Sequence, residues 1–478
     1  MTLEQLLKLM DRPLLERPRV CADSRRLRQG DIFVAVKGTR MDGHDFIGQA
    51  VVTGARYVVS QKPVTVASAE VIQTDDTAEA LGLLSQAYFD QPNSRLVNLA
   101  VTGTNGKTTT TYLVRSIITN AGKKCGLIGT VVIDFGSGAD DIEASMTTPD
   151  AFELASISDN MIKAGDEFLV MEASSHAIEQ NRLAGINFKA AAFTNLTGEH
   201  LDYHKTMDAY LAAKLKLFEK LPPDATAVIN IDDPVWEKVA GVTKANKLFY
   251  SLDRQTDLTA DIISMDIAGT IFDLNFQGQK VRIKTPLIGR HNMSNHLAAA
   301  GLAIGAGFNL KTIAEGLSKL SRVPGRLQKV PFSGDFTVLV DYAHTDDALK
   351  NVLSTLKPLC KNRLTLVFGC GGDRDKTKRP RMAQVAEQFA DNIFVTSDNP
   401  RTERPAAIID DILQGFSNPS SENITVQPDR KLAIEAAVKN AKAGDIVLIA
   451  GKGHENYQII GTEKTHFSDV ETAAEFLW

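Results

Sequence analysis

Short apolar runs alternate with longer stretches whose apolar positions recur at helical spacing, and this rhythm breaks twice along the 478 residues. Before the first break the clearest elements are short strands over 31–36 and 55–59, and the polar stretch Gln91-Pro92-Asn93-Ser94 closes the block. The second block predicts strands at 96–101, 168–173, 190–195 and 225–231, with helices at 107–121, 150–164, 207–220 and 293–306. The next break falls at Arg322-Val323-Pro324-Gly325-Arg326. Beyond it the pattern predicts strands at 336–342, 363–369, 392–397 and 445–450, and helices at 346–356, 380–389, 405–415 and 430–441. Alternation of this kind buries a mainly parallel sheet beneath helices on both faces. Ligands of such sheets gather at the carboxyl ends of the strands, and the polar motifs of this chain fall there.

The strand at 96–101 runs into Thr102-Gly103-Thr104-Asn105-Gly106-Lys107-Thr108-Thr109-Thr110 and then into a helical pattern. Loop N–H groups and a helix N-terminus face an anion, Lys107 adds a mobile positive charge, and the Thr108 hydroxyl suits magnesium. Val101 stands where the longer form of this loop has a glycine. The strand–loop–helix context points to a nucleoside triphosphate, ATP or GTP. The expected fold class is therefore α/β with three domains. They are a small α/β N-terminal domain (1–95), a central P-loop ATPase-like domain with a mainly parallel sheet (96–325) and a C-terminal Rossmann-like domain (326–478).

Composition narrows the class. Hydrophobic residues make up 43% and charged residues 23%, as in soluble globular proteins. A net charge of -5 gives no overall basic field, so no nucleic-acid partner is expected. Cys21, Cys125, Cys360 and Cys370 have neither metal-ligand nor redox spacing. The start of the chain lacks a basic, apolar leader, and no run of about 20 apolar residues could span a bilayer. No membrane insertion and a cytoplasmic location are expected.

Further chemistry sits at other strand ends. Glu172-Ala173-Ser174-Ser175-His176 closes one strand, and Thr194-Asn195, followed by Glu199-His200, closes the next. A carboxylate and an imidazole beside a phosphate loop suggest a divalent-metal site, with Glu172 better suited to magnesium than His200. By its spacing in a helix, Lys214 reads as a surface lysine. In the third block, four strands end in charged, mostly glycine-containing loops beginning at Asp341, Gly369, Asp398 and Gly451. Together these loops outline a cleft with arginines and carboxylates, suited to a zwitterionic small molecule.

As a set, these motifs resemble the Mur ligases, ATP-dependent enzymes that build the peptide stem of bacterial peptidoglycan, over essentially the whole chain. The segments carrying the resemblance are 103–109, 172–176, 195–204, His291-Asn292 with Asn295-His296, 324–326 and 341–344. The loop Asp398-Asn399-Pro400-Arg401 is similar to that of the branch adding meso-2,6-diaminopimelate to UDP-N-acetylmuramoyl-L-alanyl-D-glutamate. The physics agrees: a guanidinium fork pairs bidentately with a distal carboxylate and repels the terminal ammonium of L-lysine.

The resemblance implies roles residue by residue. Catalysis falls to Lys107, Glu172, His200 and Lys214, and Mg2+ to Thr108, Glu172, His200 and Lys214 as N6-carboxylysine. ATP falls to Gly103, Thr104, Asn105, Gly106, Lys107, Thr108, Thr109, Asn292, Asn295, Arg326 and Asp341. The UDP-linked substrate falls to Ala22, Ser24, Thr39, Arg40, Met41, Met146, Thr147, Thr148, Ser174, Gln180 and Arg182. Diaminopimelate falls to Arg374, Asp398, Asn399, Pro400, Arg401, Gly451 and Glu455. Departures from the family pattern are Met146 where some relatives have asparagine, Ala22 for a larger apolar residue, and Thr345-Asp346 for Thr-Pro. The implied reaction phosphorylates the D-glutamyl side-chain carboxylate and lets the diacid's amine displace phosphate, in a monomer. Competing readings are an L-lysine-adding relative, a folylpolyglutamate synthetase, and a nucleotide switch that performs no ligation.

Overall fold

The computed structural model of the protein describes residues 1–477 except Arg40, 137–141 and Ser145. The Arg40 expectation therefore lies outside the described residues. Three principal sheets follow one another along the chain. The first orders Val20–Cys21, Ile32–Val34, Tyr57–Ser60 and Glu70–Gln73 side by side, all parallel. Ala22 and Ser24 thus follow the carboxyl end of a short strand that the apolar pattern did not predict. Helix Thr77–Tyr88 is N-capped by Asp76, which accepts from the Ala78 and Glu79 N–H groups. It packs Ala80 and Leu84 against Ile32, Val34 and Ile72.

The second sheet has a parallel centre, in the order Asn246–Ser251, Thr226–Asn230, Phe188–Phe193, Val97–Thr102, Phe168–Glu172 and Cys125–Ile128. These strands read as continuous apolar runs because both faces are covered. On one face, Leu113 and Ile117 of helix Lys107–Asn120 and Leu297 of helix Arg290–Gly305 pack on Leu99 and Val101. On the other, Leu154 of helix Ala151–Ala164 and Phe218 of helix Met207–Glu219 pack among Ala100, Leu169 and Ala191. Both edges differ from the expected alternation. Leu258–Asp266, Gly269–Phe276 and Gln279–Thr285 form an antiparallel meander on one side, and Val132–Asp134 with Ile142–Glu143 extends the other. Exposed faces put Asp261, Lys280, Arg282 and Lys284 between the apolar positions, so no apolar run marks these strands.

The third sheet orders Gln328–Lys329, Thr337–Asp341, Ile446–Ala450, Leu364–Phe368, Asn392–Val395 and Ile424–Val426, with only the first strand antiparallel. The four strands that end in charged loops are consecutive neighbours. A hairpin, Tyr457–Ile460 with Glu463–His466, follows. Among the described residues no helix is long and apolar enough to cross a membrane.

Candidate active site

Val97–Thr102 lies between Phe188–Phe193 and Phe168–Glu172, so their three carboxyl-end loops emerge together. A cavity of about 470 Å³ opens there. The Asn105 N–H donates to Asn195 Oδ1 at 2.9 Å, and the Thr197 N–H donates to the Thr104 hydroxyl at 2.9 Å. Gly106 has φ +88°, and a Cβ on it would stand 2.2 Å from Asn295 Oδ1. Glycine takes that backbone without strain and leaves room for the Asn295 amide at this close approach. That approach brings Asn292 and Asn295 to the cavity wall alongside Thr108 and Thr109. The Lys107 ammonium donates to the Gly103 and Thr104 carbonyls at 2.9 and 2.8 Å, curled over its own loop.

Glu172 is buried at the end of the neighbouring strand. Its Oε1 accepts from the Thr108 hydroxyl and the Thr130 N–H, both at 2.9 Å, and its Oε2 from the Thr130 hydroxyl at 3.0 Å. Arg326 reaches in from beyond the second sheet and donates to Thr108 Oγ1 at 3.2 Å. Asp341 accepts from the Leu327 and Ala343 N–H groups at 2.6 and 2.8 Å and so shapes the turn that aims Arg326. Burial pushes its carboxyl up, against the pull of Arg326.

Lys214 overturns the reading taken from its spacing: it is 1% exposed, not a surface lysine. Helix Met207–Glu219 turns Tyr210, Leu211 and Lys214 inward together, and the Lys214 ammonium stands 4.3 Å from the Tyr210 ring centroid. Burial, and then the nearby Lys107 charge, drive its pKa well below the ordinary lysine value, with Glu199 opposing. Glu199 was not assigned a role from sequence, since only the folded chain reveals what faces it. It sits 3.7 Å from His200 Nε2 and 3.6 Å from His344 Nε2. Burial raises its carboxyl, but His200, His344, Lys107 and Lys214 together hold it below the ordinary range.

The metal expectation can be tested on the donor set. Among the described residues no group of three or more His, Cys, Asp or Glu side chains could hold a metal ion by itself. Magnesium on a nucleotide takes one or two protein oxygens and completes its shell with phosphate and water. Thr108 Oγ1 and Glu172 Oε1, 2.9 Å apart at the phosphate loop, fit that demand. His200 and Lys214 line the same cavity.

A larger cleft of about 950 Å³ adjoins this cavity, and the two share Thr130, Thr147, Glu199, His200, Tyr342 and His344 as walls. Arg374, Asp398, Asn399, Arg401, Gly451 and Glu455 all line the cleft. Arg374 is exposed at the rim, whereas Pro400 is buried and only shapes its loop. Arg401 adopts a left-handed backbone, φ +52°, and donates from Nη1 to the Gly372 carbonyl at 2.8 Å. Gly451, at φ +116°, has no room for a Cβ, which would stand 2.6 Å from Asp398 Oδ2. Glu455 accepts from Asn399 Nδ2 at 2.8 Å and from Lys452 at 3.2 Å. Burial and then Asp398 raise its pKa, with Lys452 opposing.

A third group gathers beside Glu172. Arg182 donates to the Thr148 carbonyl at 2.8 Å, to Gln180 Oε1 at 2.7 Å and to the Met146 sulfur at 3.6 Å. The Thr148 hydroxyl donates to Ser174 Oγ at 3.2 Å. Ala22, Ser24, Thr39 and Met41 instead follow strand ends of the first sheet. Among the described residues no hydrogen bond joins them to the Arg182 group. The first sheet's block is tied to the second by Asn181 Nδ2, which donates to Asp76 Oδ2 at 2.6 Å.

Against known families, residues 101–303 match the Mur ligase middle domain, 325–453 the Mur ligase glutamate ligase domain, and 19–89 the Mur ligase family catalytic domain. The chain belongs to the Mur ligase family. Among curated relatives, the UDP-N-acetylmuramoyl-L-alanyl-D-glutamate--2,6-diaminopimelate ligase of Syntrophomonas wolfei subsp. wolfei is 42% identical over 477 residues, covering 98% of this chain and 97% of the relative. The same-named ligase of Bacillus cereus is 44% identical over 460 residues, covering 95% and 92%. A solved structure of a ligase with that name superposes with a TM-score of 0.69 at 36% identity, covering 96% of this chain and 94% of that one. The three Mur ligase matches coincide with the three sheets, and the α/β architecture is that of the family.

Proposed function

We propose that the protein is an ATP-dependent ligase that joins meso-2,6-diaminopimelate to UDP-N-acetylmuramoyl-L-alanyl-D-glutamate in peptidoglycan synthesis. One observation carries the reading: the phosphate-loop cavity opens directly into a cleft bearing both Arg401 and Glu455. Glu455 suits an ammonium head and Arg401 a carboxylate, as a molecule with two amino-acid heads requires. The relatives' names specify the same reaction. L-Lysine lacks the second carboxylate that Arg401 would meet, which disfavours a lysine-adding enzyme.

A carboxylate is a poor acyl donor and needs activation. Main-chain N–H groups of 103–107 and the start of helix Lys107–Asn120 would hold the triphosphate. Lys107 would leave its loop carbonyls to neutralise the γ-phosphoryl as it passes to the D-glutamyl carboxylate. Arg326 would add charge from the opposite wall. Thr108 and Glu172, with His200 and carbamylated Lys214, would hold Mg2+, which supplies charge neutralisation to the phosphoryl oxygens when bound. The uncharged Lys214 amine is the form able to take up carbon dioxide. Arg182, Thr148 and Ser174 would orient the peptide end of the UDP-linked substrate. The diacid's amine would then attack the acyl phosphate carbon across the shared wall, forming C–N as C–O breaks and phosphate leaves.

The test is phosphate release by purified protein given ATP, the UDP-linked dipeptide and one amino acid at a time, with the product weighed by mass spectrometry. The expected result is release that needs both the dipeptide and meso-diaminopimelate. Equal or greater release with L-lysine would overturn the substrate assignment, and release indifferent to both would favour a nucleotide switch.

A further inference from the structure

Lys452 belongs to the Gly451-Lys452-Gly453-His454-Glu455 loop and has no part in the chemistry above. Its side chain is 0% exposed. A buried ammonium is tolerated only when its donors are satisfied. Its Nζ donates to Glu455 Oε2 at 3.2 Å, to Asn399 Oδ1 at 3.4 Å and to the Tyr457 carbonyl.

Tyr457 opens the hairpin of Tyr457–Ile460 and Glu463–His466. A lone two-stranded hairpin is marginal in water, and the second strand here is exposed throughout. The first strand is instead laced to the 398–401 loop. Gln458 Nε2 donates to the Asp398 carbonyl at 2.8 Å, and the Ile459 N–H to Asn399 Oδ1 at 2.9 Å. The Arg401 N–H donates to the Ile459 carbonyl at 3.1 Å, and the Gly461 N–H to the Arg401 carbonyl at 2.8 Å. This reciprocal pair holds Arg401 at φ +52°, a region that non-glycine residues seldom occupy unless their surroundings impose it.

We propose that Lys452 is a positioning residue that sets both ends of the amino-acid site at once. It aims Glu455 directly, and it aims Arg401 through the Tyr457 carbonyl and the hairpin edge. The proposal rests on the reading of the cleft as a diamino-diacid site. Glu455 is faced by Asp398 from its loop, Tyr342 from beyond strand Thr337–Asp341, Arg430 from helix Arg430–Lys439, and Lys452 from its own loop. Among these, Lys452 is the cation in hydrogen-bond contact with it.

The experiment compares wild type, K452M, K452R, E455Q and K452M/E455Q as full-length proteins, in steady-state kinetics with ATP, the UDP-linked dipeptide and meso-diaminopimelate. K452M keeps the volume and removes the charge. Its KM for the diacid should rise by on the order of ten- to a hundredfold, while kcat and the KM for ATP change by no more than about twofold. The acid limb of kcat/KM for the diacid should move to higher pH as Glu455 loses its cation. K452R should recover part of the loss. The double variant should lose less than the product of the single losses, because both act on one group. An unchanged KM for the diacid, equal losses for ATP and diacid, or multiplicative losses in the double variant would overturn the proposal. If K452M does not fold, K452Q takes its place: a raised KM for the diacid with an unchanged KM for ATP supports the proposal, and unchanged kinetics overturn it. A wild-type enzyme that ignores the diacid would instead defeat the functional reading before any variant is compared.

Discussion

The phosphate-loop cavity and the amino-acid cleft share a wall but are assembled differently. The first is centred on one strand, one loop and one helix that are contiguous in the chain, and on the proposed reading it would meet phosphate largely with main-chain groups. The second is lined by loops following four separate strands, two of which are tied to each other and to a hairpin through side-chain bonds of Lys452, Asn399 and Gln458. Main-chain recognition of phosphate is indifferent to the rest of the substrate. Side-chain recognition across distant loops can distinguish one amino acid from another. Damage to the cavity should therefore abolish activation whatever the acceptor, and damage to the cleft should change which acceptor is taken.

The largest expected effect is at Lys107. Lys107→Ala should lower turnover by roughly two to three orders of magnitude with every amino acid offered, measured as phosphate release. Retained activity would remove the phosphate role of this cavity. Next is Lys214→Arg, which keeps a permanent charge where burial drives the native amine well below the ordinary lysine pKa, and whose guanidinium cannot take up carbon dioxide. Turnover should fall by roughly tenfold or more, and the carbamate carbon expected by NMR in the wild type after labelling with ¹³C-bicarbonate should be absent from the variant. In the cleft, Arg401→Ala should raise the KM for diaminopimelate by on the order of ten- to a hundredfold and leave that for ATP in place. A parallel rise in both would erase the contrast between the regions.

A pH series sharpens the contrast further. Because the Glu455 pKa lies above its ordinary value, the ionised fraction falls as pH drops through that raised value. kcat/KM for diaminopimelate should show this acid limb and kcat/KM for ATP should not, and Glu455→Gln should flatten it. The smallest effect is expected at Asp347, which accepts from Asn105 Nδ2 at 2.9 Å across the junction of the second and third sheets. Asp347→Ala should weaken ATP binding by about 0.5–1.5 kcal/mol, read by calorimetry.

Legibility in the sequence followed the same division. The phosphate loop announced itself because its chemistry is local, with strand, glycines, lysine and helix in order. The strand-end pattern placed the Arg401 and Glu455 loops on one cleft, but their roles came only through resemblance, since which side chains meet there depends on strands that are neighbours in the sheet rather than in the chain. Lys214 misled because helical spacing cannot distinguish a charged residue facing water from one facing a cavity. Glu199 and Lys452 sat inside segments already singled out, yet their significance lies in partners from other loops. The meander at 258–285 escaped because its exposed face interrupts the apolar signal.

The wall common to both chambers also bears on economy. On the proposed reading, an acyl phosphate formed in one would face the amine seated in the other with no transit through bulk solvent. Hydrolysis of a mixed anhydride wastes the triphosphate that made it. By having Tyr342, His344 and Glu199 serve both compartments, the fold shortens the interval in which that waste can occur.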